Sequence, residues 1–92
     1  MNFTLRYSEK FGKDIKSHRK AGNKTALKKI NTFLEELVVH PKTGTGHPEQ
    51  LKGYDGKRWS REITKKHRLV YDIEDDIVVV LVISAWGHYG DK

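Results

Sequence analysis

The sequence has 92 residues, of which 36% are hydrophobic and 33% charged, and 18 Lys and Arg against 12 Asp and Glu give a formal net charge of +6. One domain spanning residues 1–92 is expected at this length, and the absence of cysteine excludes disulfides, thiolate nucleophiles and zinc fingers. No stretch reaches the roughly 18 apolar residues needed to cross a bilayer, and the start has no signal-peptide core, so we expect a cytoplasmic protein without a membrane partner.

The N-terminal half of the chain predicts one strand followed by two helices. Residues 2–6 alternate apolar and polar side chains, which is typical of a strand. Ser8 is a good N-cap for a basic helix that ends near Gly22, and Asn23 is a good N-cap for a second helix. The first helix is expected to turn one face to the core, with Phe11, Ile15 and His18. The second carries a longer apolar stripe at helical spacing, with Leu27, Ile30, Phe33, Leu34, Leu37 and Val38.

The C-terminal half predicts a loop and then three strands. Residues 40–46 are loop formers, and strands are expected at 58–64, 68–73 and 77–84. Residues 74–76 are a short connection, so the last two strands should form an antiparallel hairpin. The element order therefore predicts an α+β sandwich, with both helices on one face of an antiparallel or mixed sheet and the other face free for a ligand.

Alternation along these strands indicates where charged side chains point. Arg68 begins its strand and faces away from Leu69 and Tyr71, so we expect it at the rim of the open sheet face. A guanidinium there is suited to phosphate, because its planar fork donates two parallel hydrogen bonds and stays charged. The net positive charge likewise favours a polyanion, for which nucleic acid is the first candidate, although surplus lysines also serve solubility alone.

Four side chains would together suffice to cleave RNA without a metal or other cofactor: Glu49, Arg68, His88 and Tyr89. A base takes the proton of the ribose 2′-OH, a cation stabilises the phosphorane, and an acid protonates the leaving 5′-oxygen. Taken singly, each residue also has a plainer interpretation, with Glu49 as a solvated surface residue and His88 as part of a polar tail. Arg68 is then the ion-pair partner of Asp72 or Glu62. No metal is expected, because metal-ligand spacing is absent from the remaining histidines, His18, His40, His47 and His67.

Three segments resemble a known family in their order and spacing: "GTGHPEQLKG", "WSREITKKHRLVYDI" and "GHY". The family is that of the YoeB-type toxins of the RelE superfamily, which are ribosome-dependent mRNA interferases of bacterial toxin–antitoxin pairs. The resemblance covers nearly the whole chain. It implies a RelE-like fold, which consists of an N-terminal strand, two helices and a three-stranded antiparallel meander. The strands of this fold form one twisted sheet.

The resemblance also implies roles for residues of these motifs. Glu49 would be the general base and His88 the general acid. Arg68 would hold the scissile phosphate, and Tyr89 would position the substrate. RNA binding is expected of four further residues, Lys52, Arg61, Lys65 and Trp59. The alternative for Trp59 is a position in the core. The chain departs from the family at Glu62, where members commonly carry a second arginine, and in the three residues that follow Tyr89.

By the same resemblance, the chain would be the toxin of a toxin–antitoxin system and would cut mRNA in the ribosomal A site. Its partners would be mRNA, the ribosome, a YefM-like antitoxin and, through the antitoxin complex, operator DNA. A homodimer is left open, and no cofactor is expected. Two alternatives are a non-catalytic RNA-binding module and an inactive toxin homologue that acts as a corepressor with its antitoxin.

Overall fold

Residues 2–87, the part of the chain that the computed structural model describes, form two helices and five strands. In chain order they are β1 (Thr4–Tyr7), α1 (Glu9–Lys20), α2 (Lys24–Val39), β2 (Glu49–Gln50), β3 (Arg58–Glu62), β4 (Arg68–Glu74) and β5 (Val79–Ser84). A short 3-10 turn, Asp75–Ile77, connects β4 to β5. Within this part of the chain, no helix is long and apolar enough to cross a membrane.

The strands form one sheet in the order β1-β5-β4-β3-β2. β1 runs parallel to β5 and the other neighbours are antiparallel, so the sheet is mixed. The predicted α+β architecture is confirmed, with an additional strand at the far edge. This strand, β2, has two residues, which is too short for alternation to reveal it.

Helix α1 begins where the sequence predicts, at the cap Ser8. The Ser8 hydroxyl accepts the N–H of Phe11 at 3.0 Å and donates to the carbonyl of Ile83 in β5. The cap therefore also ties the start of the helix to the sheet. The predicted core face is confirmed, because Phe11 and His18 are buried and Ile15 is half-buried.

Helix α2 buries the centre of its predicted apolar stripe. The buried side chains are Ala26, Ile30, Phe33 and Leu37, and the half-buried ones beside them are Leu27, Leu34 and Val38. Full burial of one such large side chain contributes about 1.5–3 kcal/mol, so packing holds this helix on the sheet more than intrinsic propensity does. The side chain of Asn23 does not cap the helix as predicted. Its amide nitrogen instead lies 3.1 Å from Nδ1 of His18.

Alternation along β4 and β5 divides the sheet into two faces, as predicted. The face toward the helices carries the buried side chains Leu69, Tyr71, Ile73, Val80 and Val82. On the opposite face Arg68 and Asp72 are half-buried, and Asp72 accepts two hydrogen bonds from Arg58 at 2.7 and 2.9 Å. The helices therefore cover one face and leave Arg68 on the other.

The hairpin between β4 and β5 is less simple than the predicted connection. Ile77 belongs to the 3-10 turn and is 67% exposed, and Val78 follows with φ 55°. A β-branched residue takes this left-handed conformation only at a cost, which the packing of the two strands offsets. The predicted start of the last strand at residue 77 is therefore wrong, because closing the turn takes two residues out of the apolar run.

Candidate active site

A carboxylate and a guanidinium meet on the sheet face that the helices leave open. Oε1 of Glu49 lies 3.6 Å from Nη1 of Arg68. The same Nη1 donates to Oγ of Ser60 at 3.3 Å. The Glu49 side chain is 64% exposed, whereas that of Arg68 is 19% exposed. A solvent-accessible proton acceptor thus lies beside a mostly covered and permanently charged donor.

The register of three strands produces this pair. β2 places Glu49 opposite Ser60 of β3, and β3 places Ser60 opposite Val70 of β4. Directly opposed residues of antiparallel strands share a face, and Arg68 lies two residues before Val70 and therefore on the same face. The predicted carboxylate and arginine are distant in sequence and are brought together by the short strand β2.

Two hydrogen bonds, one to the backbone and one to a side chain, bring the end of the described chain beside the start of β4. The N–H of Arg68 donates to the carbonyl of Gly87 at 2.9 Å. The N–H of Gly87 donates to Nδ1 of His67 at 3.0 Å. The predicted general acid His88 and the predicted substrate-positioning Tyr89 come next in the sequence and lie outside the described residues. Their roles stay predictions.

The residues predicted to bind RNA fall into different environments. Lys52 and Lys65 are exposed in the turns after β2 and β3, where an ammonium group is accessible to a phosphate. Trp59 is half-buried and packs against the core, and its indole N–H is buried without a hydrogen-bond partner in the described part of the chain. Trp59 therefore packs against the core, as its alternative interpretation predicted, and its RNA contact stays a prediction.

Arg61 is fully buried on the helix side of β3. Its Nε donates to the hydroxyl of Tyr71 at 3.1 Å, and its Nη1 forms an ion pair with the carboxylate of Glu36 in α2. Its other partners are carbonyl oxygens of the loop after α2, in His40, Thr43 and Thr45, at 2.8 to 3.3 Å. The expectation that Arg61 contacts RNA is therefore wrong, because its guanidinium already serves protein acceptors inside the fold.

The network around Arg61 holds the loop of residues 40–46. The hydroxyl of Tyr71 donates to the carbonyl of Pro41 at 2.8 Å, and Glu36 accepts both the N–H and the hydroxyl of Thr45 at 2.9 and 2.8 Å. At the end of the loop, the N–H of Glu62 in β3 donates to a loop carbonyl at 2.7 Å. The loop leads directly to β2, so the network fixes the approach to the candidate base.

Glu36 is expected to make the stability of the fold depend on acid. Burial alone would raise the pKa of this carboxyl, but hydrogen bonds from Thr45 and Arg61 outweigh burial and hold the pKa below its ordinary value of 4.5. Because the folded pKa is depressed, the contribution is fully present above pH 4.5 and is lost as the pH falls through the folded value. The difference in unfolding free energy between the wild type and Glu36→Gln, measured with urea, should shrink in acid. A difference that stays constant down to about pH 3 would contradict this assignment.

Gly46→Ala is expected to destabilise the protein more than Gly53→Ala. Both glycines have positive φ, +81° and +90°, so alanine at either position costs about 1–2 kcal/mol. A Cβ on Gly46 would lie 2.5 Å from Cζ of Phe33, whereas a Cβ on Gly53 would meet nothing within 4 Å. Overpacking should add about 1–3 kcal/mol at Gly46 alone, measured as loss of unfolding free energy. Equal losses of unfolding free energy in the two variants would show that the loop shifts to relieve the contact with Phe33 at no cost.

A family model matches nearly the whole chain. It describes the YoeB-like toxin of bacterial type II toxin–antitoxin systems and covers residues 7–89. The chain belongs to this family. It is therefore the toxin of such a system, and the resemblance inferred from the sequence motifs is confirmed.

Curated YoeB toxins are similar to the chain over about three quarters of its length. The YoeB toxin of Escherichia coli K12 is 41% identical over 67 residues, which cover 73% of this chain and 77% of that one. The YoeB toxin of Mycobacterium bovis is 43% identical over 69 residues, which cover 75% of this chain and 79% of that one. The relatives and this chain therefore share most of their length.

Solved structures of YoeB toxins share the fold. A YoeB/ParE toxin from Agrobacterium tumefaciens has a TM-score of 0.83 at 30% identity, covering 95% of this chain and 100% of that one. A YoeB dimer from Staphylococcus aureus has a TM-score of 0.80 at 30% identity, covering 97% of this chain and 100% of that one. The RelE-like fold implied by the motifs is therefore confirmed, with five strands where four were expected.

The open face of this YoeB-like toxin also carries a second carboxylate near Arg68. Glu62 of β3 lies directly opposite Arg68 of β4, so the two side chains share a face. A carboxylate therefore lies beside the guanidinium of Arg68 on this face. It makes the electrostatic potential beside Arg68 less positive, which weakens the attraction of a phosphate to this part of the face.

The motifs of this YoeB-like toxin did not reveal an aromatic cluster, here called the exit cluster, made of His18, His67 and Trp86. The His18 and His67 ring centroids are 4.8 Å apart, and Trp86 lies 4.4 Å from His67 and 4.8 Å from His18. His18 is fully buried. The only sign of this cluster in the sequence was the spacing that places His18 on the core face of α1. Within residues 2–87, no three or more His, Cys, Asp or Glu side chains are grouped to hold a metal ion.

Proposed function

We propose that this YoeB-like toxin is an endoribonuclease that cleaves mRNA in the ribosomal A site. The observation that carries the proposal is the pair of Glu49 and Arg68, 3.6 Å apart on the open face of the sheet. The motifs of the family supply the carboxylate and the arginine, and the short strand β2 brings them to one place. Family membership is the independent support.

The proposed reaction is an attack by the ribose 2′-oxygen on the adjacent phosphorus. Glu49 takes the 2′-OH proton as the new P–O bond forms, and the guanidinium of Arg68 donates hydrogen bonds to the non-bridging oxygens as their charge develops. The bond to the 5′-oxygen then breaks, and His88 protonates that oxygen. The products are a 2′,3′-cyclic phosphate and a free 5′-hydroxyl. Tyr89 is proposed to hold the substrate nucleotide in place.

The exposed lysines are proposed to hold the RNA backbone on either side of this centre. Lys52 follows β2, which carries Glu49, and Lys65 lies in the turn that precedes Arg68. Contacts of this kind position RNA without reading its sequence and release counterions, so binding should weaken steeply as salt rises. The net charge of +6 supports such contacts with mRNA and with ribosomal RNA.

The solved neighbours support proposals about protein partners. One is a heterotetrameric YoeB–YefM toxin–antitoxin complex from Staphylococcus aureus, with a TM-score of 0.76 at 30% identity, covering 97% of this chain and 100% of that one. We infer that this toxin binds a YefM-like antitoxin in the cytoplasm, and that the complex contacts operator DNA mainly through the antitoxin. The YoeB dimer from the same species supports a homodimer of the free toxin.

The proposal is tested by mapping cleavage of a defined mRNA. Purified protein is added to the mRNA with and without ribosomes programmed by it, the ends are mapped by primer extension, and His88→Ala is run in parallel. A cut inside the A-site codon that requires both the ribosome and His88 supports the proposal. Cleavage of free mRNA would contradict the proposed dependence on the ribosome. Folded protein that binds RNA or an antitoxin without cutting would favour a binding module or a corepressor.

A further inference from the structure

The chain leaves β5 through three residues, and side chains bind the backbone of the first and the last of them. These residues, 85–87, are called the exit segment. The carbonyl of Ala85 is 2.8 Å from Nε2 of His18, and its N–H donates to Oδ2 of Asp14 at 2.8 Å. The N–H of Gly87 donates to Nδ1 of His67 at 3.0 Å. Beyond the end of β5, side chains of α1 and of the turn before β4 therefore hydrogen-bond the backbone in place of a neighbouring strand.

The hydrogen bonds of the exit segment fix which ring nitrogen of each histidine donates or accepts. A carbonyl only accepts, so Nε2 of His18 carries the proton that binds Ala85, and its Nδ1 faces the amide nitrogen of Asn23 at 3.1 Å. The N–H of Gly87 only donates, so Nδ1 of His67 must keep its lone pair. The His67 ring is therefore neutral in this arrangement. A proton added to Nδ1 of His67 would face the Gly87 N–H and remove their hydrogen bond.

The surroundings of His67 favour its neutral form. Burial lowers the pKa of His67 from its ordinary value of 6.5, His18 of α1 and Lys66 of the same turn lower it further, and Asp14 of α1 opposes them. Trp86 of the exit segment adds an uncharged ring. Because the folded pKa is depressed, the stabilisation from neutral His67 is fully present above pH 6.5 and is lost as the pH falls through the folded value.

We propose that His18 and His67 are positioning residues that fix the exit segment, His18 at Ala85 and His67 at Gly87, and with it the start of the segment carrying His88. Protonation of His67 then releases its hold on Gly87. The catalytic part of the proposal rests on the proposed function, since His88 acts there as the general acid. The hold on Gly87 stands on the contacts of the exit segment alone. Neither histidine touches the substrate in this scheme, and each acts through the backbone that it binds.

The hold is tested without any activity measurement, by following the Gly87 amide in 15N-labelled full-length protein by NMR while the pH is lowered. We expect the Gly87 resonance to shift with the same midpoint as the His67 ring, below pH 6.5. The shift should be absent in His67→Asn, because the Asn Oδ1 replaces Nδ1 as an acceptor that does not titrate. A Gly87 resonance that is unmoved as His67 titrates, or that moves equally in His67→Asn, would overturn the release.

The positioning role is tested by single-turnover cleavage on programmed ribosomes at neutral pH. His67→Leu, which removes the acceptor, should lower the rate roughly 10- to 100-fold with little change in the concentration for half-saturation, because the acid is misplaced while binding is kept. His67→Asn should restore the rate to within about threefold of the wild type. Wild-type rates in a folded His67→Leu, or equal losses in both variants, would overturn the role.

The two measurements separate failure of this inference from failure of the proposed function. If the wild type cuts no mRNA under any condition, the proposed function falls and the catalytic role of the histidines falls with it. The Gly87 titration still decides the hold itself. If the wild type cuts mRNA but the Gly87 resonance does not move as His67 titrates, the proposed nuclease function is supported and the release by His67 is refuted.

Discussion

Arg68→Ala should slow mRNA cleavage by roughly 100- to 1,000-fold, which corresponds to about 2.7–4 kcal/mol in the barrier. The guanidinium lies beside Glu49 and is aimed across the open face, where it would meet the charge that develops on the phosphorane oxygens. Single-turnover cleavage on programmed ribosomes measures the loss. The circular dichroism spectrum should be unchanged, because the side chain lies on the face opposite the helices.

Two further variants make the Arg68 result specific. Arg68→Lys keeps the charge but loses the planar fork, so it should recover only part of the rate. Arg6→Ala removes an exposed arginine from β1, at the other edge of the sheet, and should leave cleavage unchanged. Wild-type turnover by Arg68→Ala would remove this residue from the site. An equal loss in Arg6→Ala would indicate that total charge matters instead.

Arg61→Ala should lower the free energy of unfolding by about 3–5 kcal/mol, a large fraction of the stability of a small domain. The substitution deprives Glu36 of its buried partner and leaves the hydroxyl of Tyr71 and three loop carbonyls without their donor. The lost hydrogen bonds add to the unpaired charge, above all at the buried hydroxyl of Tyr71. Urea denaturation at neutral pH measures the effect.

Arg6→Ala is again the matched control for Arg61→Ala. Arg6 is exposed on β1, so its replacement should change the free energy of unfolding by less than about 0.5 kcal/mol. If Arg61→Ala proved as stable as Arg6→Ala, the loop would be held by other contacts. Retained cleavage in a destabilised but folded Arg61→Ala would show that the loop does not need this network to present Glu49.

Local pattern predicted the elements that depend on it. The Ser8 cap, the core face of α1 and the apolar stripe of α2 follow from side-chain spacing along one helix, and the structure confirms each of them. Alternation in β4 likewise placed Arg68 away from the core. These predictions succeed because a helix or strand repeats its geometry every few residues, so one stretch of sequence contains the whole signal.

The errors arose where a residue's environment is made by distant segments. Arg61 looked like an RNA contact because nothing in its own strand reveals Glu36 and the loop carbonyls that surround it. Ile77 was predicted as strand because it begins an apolar run. Closure of the hairpin, which gives its neighbour Val78 a left-handed conformation, is not visible in that run. Trp59 was open to two interpretations, and only the structure showed that it packs against the core.

Residue spacing and motifs were enough to predict the helices, the strand faces and the family, together with the residue types of the candidate site. The folded chain was needed to show that Glu49 lies against Arg68, that β1 pairs in parallel with β5, and that His18 and His67 bind the exit segment. Periodicity acts over neighbouring residues. A hydrogen bond or ion pair between remote residues exists only after the core has packed and brought them to within a few ångströms.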